Sequence, residues 1–137
     1  MVRKINHIAI AVPDIEEAAR FWKEHLGLEM SGQETVSTNK VKAGFIPIGE
    51  SRIELVQPSA PDSPVAKFIE KRGPGIQHLC LEVDDIDAEV ERLKASGVRL
   101  INKEPVAGAH GYRVAFVHPA ATGGVLLELS QPPAEAD

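Results

Sequence analysis

A repeat within the chain constrains its fold more than any other feature. His7-Ile8-Ala9-Ile10-Ala11-Val12-Pro13-Asp14-Ile15 runs in step with His78-Leu79-Cys80-Leu81-Glu82-Val83-Asp84-Asp85-Ile86, and the His, Val, Asp and Ile positions match at an offset of 78 − 7 = 71. A second echo closes each half. Ile53-Glu54-Leu55-Val56-Gln57-Pro58 matches Leu127-Glu128-Leu129-Ser130-Gln131-Pro132 at 128 − 54 = 74, so the second half has gained three residues between its landmarks. Two separate matches at nearly one offset mark a duplicated module. A chain of 137 residues has room for one domain, or for two half-size modules sharing a core.

Each half reads the same way. Residues 7–12 are β-branched and aliphatic, as a strand requires. Asp14 caps the next helix, and Glu16 and Glu17 suit its first turn. Ile15, Ala18, Ala19 and Trp22 recur at helical spacing, and Gly27 marks the stop. In the second half Asp85 caps a helix carrying Ile86, Val90 and Leu93, which Gly97 ends. Three strands are predicted after each helix, at 29–36, 41–48 and 52–56, then at 99–101, 112–118 and 125–130. Between the halves, residues 58–64 form a loop leading to a short amphipathic helix, 65–69, that stops before Gly73-Pro74-Gly75. The fold class is therefore α+β, with two tandem βαβββ modules in a single domain, 1–137. Module one covers about 4–58, the linker and short helix 59–75, module two about 76–132, and the tail 133–137. From residue 132 onward there is nothing apolar to bury beyond alanine, so the end is expected to fray.

Alternation puts His7 on one strand face with Ala9 and Ala11, and Ile8, Ile10 and Val12 on the other. The large aliphatic face should lie under the helices, leaving the small polar face for a ligand. His78 shares its face with Cys80 and Glu82 in the same manner. Glu54 and Glu128 each stand alone between large apolar neighbours. A single glutamate in such a strand ordinarily faces solvent, and a single histidine near a strand start is ordinarily structural. The duplication alters that balance, because it supplies two imidazoles and two carboxylates about a pseudo-twofold axis. Such mixed nitrogen and oxygen donors suit one divalent ion of the Co, Ni, Zn or Mn type. The expected ligands are His7, Glu54, His78 and Glu128.

The formal net charge of −5, without long runs of like charge, argues against a nucleic-acid surface but leaves room for an anionic small molecule. Cys80, the only cysteine, allows no intramolecular disulfide and reads as a plain buried thiol. No apolar stretch approaches the ~18 residues of a membrane span, and residues 1–10 have no apolar signal core. A cytoplasmic location is the expectation.

Further motifs join these in order: Asn6-His7, Ser51-Arg52-Ile53-Glu54-Leu55, Asp62-Ser63-Pro64-Val65-Ala66-Lys67-Phe68 and Gly75-Ile76-Gln77-His78. Gly108-Ala109-His110-Gly111, Phe116-Val117-His118-Pro119 and Gly123-Gly124-Val125-Leu126-Leu127-Glu128 complete the series. With them the whole chain resembles the vicinal oxygen chelate (glyoxalase I-like) superfamily, and within it the methylmalonyl-CoA epimerases. The resemblance implies a cupped mixed β-sheet around one divalent metal, and a homodimer. It implies interconversion of (2R)- and (2S)-methylmalonyl-CoA by 1,1-proton transfer through a metal-stabilised enolate, with bases on the two faces of the planar intermediate. One family feature is replaced. Where some members carry a second-strand glutamate and a glutamine ligand, this chain has Ala43 and Glu54. Glu54 and Glu128 are thus both expected to be ligands, one or both of which also handle protons.

The ligand set equally resembles bacterial glyoxalase I, a lactoylglutathione lyase. That family's Asp-Pro-Asp-Gly turn is here His118-Pro119-Ala120-Ala121-Thr122-Gly123-Gly124, and the Gly108–Gly111 segment has no counterpart there. Non-enzymatic binding modules of the same fold commonly lack the full ligand set. His110 and Gly111 are the candidate substrate-binding residues, with His110 as readily a loop residue without contact. His118 reads as structural and His25 as surface. The helix start at Ser63-Pro64 offers N–H groups either to an anion or to an ordinary cap.

Overall fold

The computed structural model describes residues 1–134. In chain order it contains β1 (Val2–Ala11), α1 (Ile15–Leu26), β2 (Gly32–Val36), β3 (Val41–Ile48), β4 (Ser51–Pro58) and α2 (Pro64–Arg72). There follow β5 (Gly75–Val83), α3 (Ile86–Ala95), β6 (Val106–Ala107), β7 (Arg113–Val117), α4 (Pro119–Thr122) and β8 (Leu127–Gln131). Two compact units emerge, residues 7–77 and residues 1–6 with 78 onward, so the boundary passes through β1. Among the described residues, no helix is long and apolar enough to cross a membrane.

In the first unit the strand order is β2-β3-β4-β1. β1 runs parallel to β4, while β2–β3 and β3–β4 are antiparallel. Asp14 accepts a hydrogen bond from the Glu17 N–H, and Gly27 ends α1 in the left-handed conformation at φ 68°. The aliphatic side of the sheet meets α1 in a core of Val12, Ile15, Ile46 and Leu55, with Trp22 and Met30 against it. Ile15, Ile46 and Leu55 are fully buried, and each such side chain contributes about 1.5–3 kcal/mol by leaving water. Gly44 allows this close approach. A Cβ there would lie 2.6 Å from Met30 Sδ and 2.9 Å from Ile15 Cγ2.

The second unit has the order β5-β8-β7-β6, with β5 and β8 parallel and the rest antiparallel. Asp85 caps α3 through the Ala88 N–H. Val83, Ile86, Val90, Ala115, Val117 and Leu129 form its core. The two glutamines of the second echo act on the helices. Gln57 Oε1 accepts from the Ile15 N–H at 2.9 Å, and Gln131 Oε1 accepts from the Ile86 N–H at 2.8 Å. Each helix start is therefore held twice, by its own aspartate and by a glutamine from the last strand of its module.

β1 and α2 run longer than the sequence predicts, β6 and α4 are additional elements, and two predicted strands are altered. The first predicted strand after α1 begins at Gly32 rather than 29, because Leu28 and Met30 turn into the core. The predicted strand at 99–101 is reduced to one bridge, Leu100 to Val117. There the side-chain oxygen of Asn102 takes the Phe116 N–H at 2.8 Å, a bond a backbone carbonyl would otherwise accept. Pro105, which has no N–H to give, then precedes the two-residue edge strand β6. Of the tail, residues 135–137 lie outside the described residues.

Candidate metal and active site

His7 and Glu54 come from β1 and β4, the parallel pair at one end of the first unit's strand order. Glu54 is in register with Ala9, two residues along from His7 on the same face. The His7 imidazole Nδ1 lies 2.9 Å from Glu54 Oε2, and both residues are buried. The second module repeats the arrangement. Glu128 is in register with Cys80, again two residues along from His78, and His78 Nε2 lies 3.1 Å from Glu128 Oε1. The repeat is thus preserved as a register between strands, and each unit carries one buried imidazole–carboxylate pair.

Those spacings suit a metal. Two ligands at right angles on an ion, with N and O bonds of about 2.1 Å, stand about 3.0 Å apart. Imidazole nitrogen with carboxylate oxygen is also the donor chemistry of borderline divalent ions.

Aromatic rings support both pairs. Phe45 is in register with Glu54 and Phe116 with Glu128. The Phe116 ring meets the His78 imidazole edge-on at a centroid distance of 5.3 Å, which fixes the orientation of the ring. The Phe45 ring lies 5.3 Å from the guanidinium of Arg52. Sequence reasoning missed the pairing of Phe45 with Phe116, although 116 − 45 = 71 is the offset of the two histidines.

Arg52 is a second residue that the sequence reading left without a role. Its Nε donates to Glu54 Oε2 at 2.8 Å, and its Nη2 lies 2.7 Å from the same oxygen as an ion pair. That oxygen therefore faces a guanidinium as well as His7. Ala43 is buried in register with Val56, on the Glu54 face of the sheet. Lys42, its neighbour, belongs to the opposite face with Gln57 and cannot replace a base there.

On the second unit, the inner face continues from His78 through Cys80 to Glu82. Cys80 is fully buried, donates to Ser130 Oγ at 3.2 Å, and holds its Sγ within 4.8 Å of a Glu128 oxygen. Glu82 is 8% exposed and accepts from Asn6 Nδ2 at 3.1 Å.

His110 occupies a 3-10 turn, Ala109–Gly111, at φ 56°. Its left-handed backbone is uncommon for a residue with a Cβ and marks strain in the loop. His110 is exposed there, and Gly111 follows at φ 74°. His118 caps α4, its Nδ1 accepting the Ala120 N–H at 2.9 Å, in keeping with a structural role. Ser63 is fully buried and caps α2 through the Val65 N–H, so the ordinary cap is the reading realised at that helix start.

Residues 6–116 match the family model of the Glyoxalase/Bleomycin resistance protein/Dioxygenase superfamily. The chain is 43% identical over 129 residues to human mitochondrial methylmalonyl-CoA epimerase, covering 93% of this chain and 73% of that protein. It is 43% identical over 133 residues to the ethylmalonyl-CoA/methylmalonyl-CoA epimerase of Cereibacter sphaeroides, covering 96% and 99%. Among solved structures, a Streptomyces coelicolor methylmalonyl-CoA epimerase variant in complex with 2-nitronate-propionyl-CoA superimposes with a TM-score of 0.94. Its sequence identity is 31%, and the match covers 100% of this chain and 99% of that one.

Proposed function

Since the chain belongs to the Glyoxalase/Bleomycin resistance protein/Dioxygenase superfamily, and within it to the methylmalonyl-CoA epimerase family, we propose that it interconverts the (2R) and (2S) forms of methylmalonyl-CoA. The observation that carries this reading is the duplicated, buried imidazole–carboxylate pair, kept in the same strand register in both modules. His7, Glu54, His78 and Glu128 would together hold one divalent ion. When bound, that ion would act as a Lewis acid toward the charge that develops on the thioester oxygen as the C2 proton leaves.

The remaining work belongs to the chain. Glu128 is assigned the proton at C2 on one face of the substrate. Its buried carboxylate stands against His78, and a carboxylate held through one oxygen keeps the other within general-base reach. Glu54 is assigned chiefly to holding the ion, because Arg52 and His7 both bind its Oε2. A proton-accepting role for Glu54 is the rival, and Glu54→Gln tests it. Such a variant that binds metal and epimerises at the wild-type rate leaves Glu54 as a ligand only. The His110–Gly111 turn is assigned to substrate contact. The proposal extends to a cytoplasmic homodimer, for which light scattering and cell fractionation are the checks.

The deciding experiment sets two substrates side by side. The metal-loaded protein should convert (2R)- into (2S)-methylmalonyl-CoA and leave the hemithioacetal of methylglyoxal and glutathione unchanged. Turnover of the hemithioacetal without epimerisation would overturn the reading in favour of a lactoylglutathione lyase. Binding of either compound without turnover would favour a sequestering module.

A further inference from the structure

Inverting a carbon requires a proton acceptor on one face and a donor on the other. Glu128 supplies one. At the position where some relatives would place a second-strand glutamate stands Ala43, and Oε2 of Glu54 is taken by Arg52 and His7. A third buried carboxylate, Glu82, stands on the same inner face as His78 and is not among the expected metal ligands.

We propose that Glu82 carries the second proton transfer, on the face of the substrate opposite Glu128. Glu82 is 92% buried, being 8% exposed, and burial of that degree for a carboxylate without a cation partner calls for a reason. Its donors fall on one oxygen. Asn6 Nδ2 reaches Oε1 at 3.1 Å, and the Tyr112 hydroxyl approaches the same atom at 3.5 Å. Among the described residues no donor reaches Oε2, yet no fully buried side-chain oxygen or nitrogen lacks a partner. Oε2 therefore opens onto accessible space. One oxygen is anchored and the other presented, as a positioned base requires.

Its place on the sheet fits the role. β5 carries His78, Cys80 and Glu82 on one face, and β8 carries Glu128 opposite Cys80 and Ser130 opposite Glu82. Glu82 and Glu128 are thus diagonal neighbours on one face, their backbones about 7–8 Å apart by sheet geometry, within reach of long side chains. The small side chains of Cys80 and Ser130, bonded to each other at 3.2 Å, complete the rectangle. Two bases each about 3 Å from one planar carbon stand about 6 Å apart. A flat enolate standing edge-on over Cys80 and Ser130 would meet one carboxylate on each face. As Glu128 takes the C2 proton, the electron pair of that C–H bond moves into the enolate. Protonated Glu82 then gives its proton to the other face, and both carboxyls exchange with solvent before the next cycle.

This inference rests on the epimerase reading and is tested so that the two fail separately. Metal-loaded wild type and Glu82→Gln are incubated in D2O with each epimer in turn, and deuterium at C2 is followed alongside interconversion. The expected result is selective. One epimer keeps exchanging at close to the wild-type rate through Glu128, while exchange of the other and interconversion both fall by about 100-fold or more. Equal rates for both epimers, whether unchanged from wild type or lowered together, would overturn the assignment. Should Glu82→Gln not fold, Glu82→Asp retains a carboxylate set back by one methylene. It should slow the same single epimer, and an equal effect on both again counts against the proposal. A folded, metal-loaded wild type that exchanges neither epimer overturns the epimerase reading itself, and this assignment with it.

Discussion

Replacing Arg52 by methionine should weaken the metal-free protein and leave the metal-loaded protein much less affected. Arg52 donates from Nε to Glu54 Oε2 at 2.8 Å and holds Nη2 2.7 Å from the same oxygen, beside a glutamate that is 5% exposed. Methionine keeps much of the apolar length against Phe45 and removes the charge. Breaking a fully buried ion pair costs about 3–5 kcal/mol, and an exposed one about 0–1 kcal/mol. The Arg52 side chain is 21% exposed, so a loss of about 2 kcal/mol follows after allowing for solvent screening. At about 4 °C per kcal/mol for a chain of this size, Tm should fall by about 8 °C. A divalent ion at Glu54 would supply positive charge in place of the guanidinium, so the fall should be less than half as large with metal. Thermal unfolding of wild type and Arg52→Met, each with chelator and with saturating metal, gives the comparison. An equal fall in both states, or no fall under chelator, would refute the reasoning.

The other predictions are simpler. His78→Ala should lower metal content sharply in a protein that stays folded, read by elemental analysis and circular dichroism. Gly44→Ala should cost about 1–3 kcal/mol in urea unfolding, since Ile15 is fully buried and cannot move aside for a Cβ. Gln131→Ala should cost about 1 kcal/mol by removing the second cap of α3, measured in the same way. Arg113 holds the Asp87 carboxyl below the usual carboxylate range through a paired hydrogen bond. Its stabilisation is therefore present above the ordinary aspartate pKa and is lost as pH falls through the lower folded value. The stability difference between wild type and Arg113→Gln should shrink between pH 6 and strongly acidic pH.

Much of the fold was legible because it follows from local rules. Asp14 and Asp85 cap helices wherever they precede an amphipathic run, and both do so here. The alternation that put His7 with Ala9 and Ala11 also put Ile10 and Val12 under α1. What was not legible depends on partners distant in sequence. Gln57 and Gln131 stood in the repeat without an evident role, because their helix-capping bonds span 42 and 45 residues. Asn102 lies just beyond the predicted strand at 99–101, and nothing local shows that its side chain takes the place of a strand carbonyl. Phe45 and Phe116 lay among ordinary aliphatic residues, and only the antiparallel pairing brings each opposite its glutamate. Arg52 stood in its motif without an assigned role, because alternation puts it on the Glu54 face but does not show that its guanidinium reaches the carboxylate. Alternation was enough to place Glu82 on the His78 face, but its one-sided hydrogen bonding needed the Asn6 and Tyr112 side chains in position.

Metal-dependent epimerisation is tested most directly by proton exchange at C2 of methylmalonyl-CoA, followed by NMR in D2O with protein loaded with one divalent ion per chain. Either epimer alone should take up one deuterium at C2 while the two forms reach equilibrium, and chelation should abolish both. Metal-loaded, folded protein that leaves the C2 proton in place would contradict this expectation.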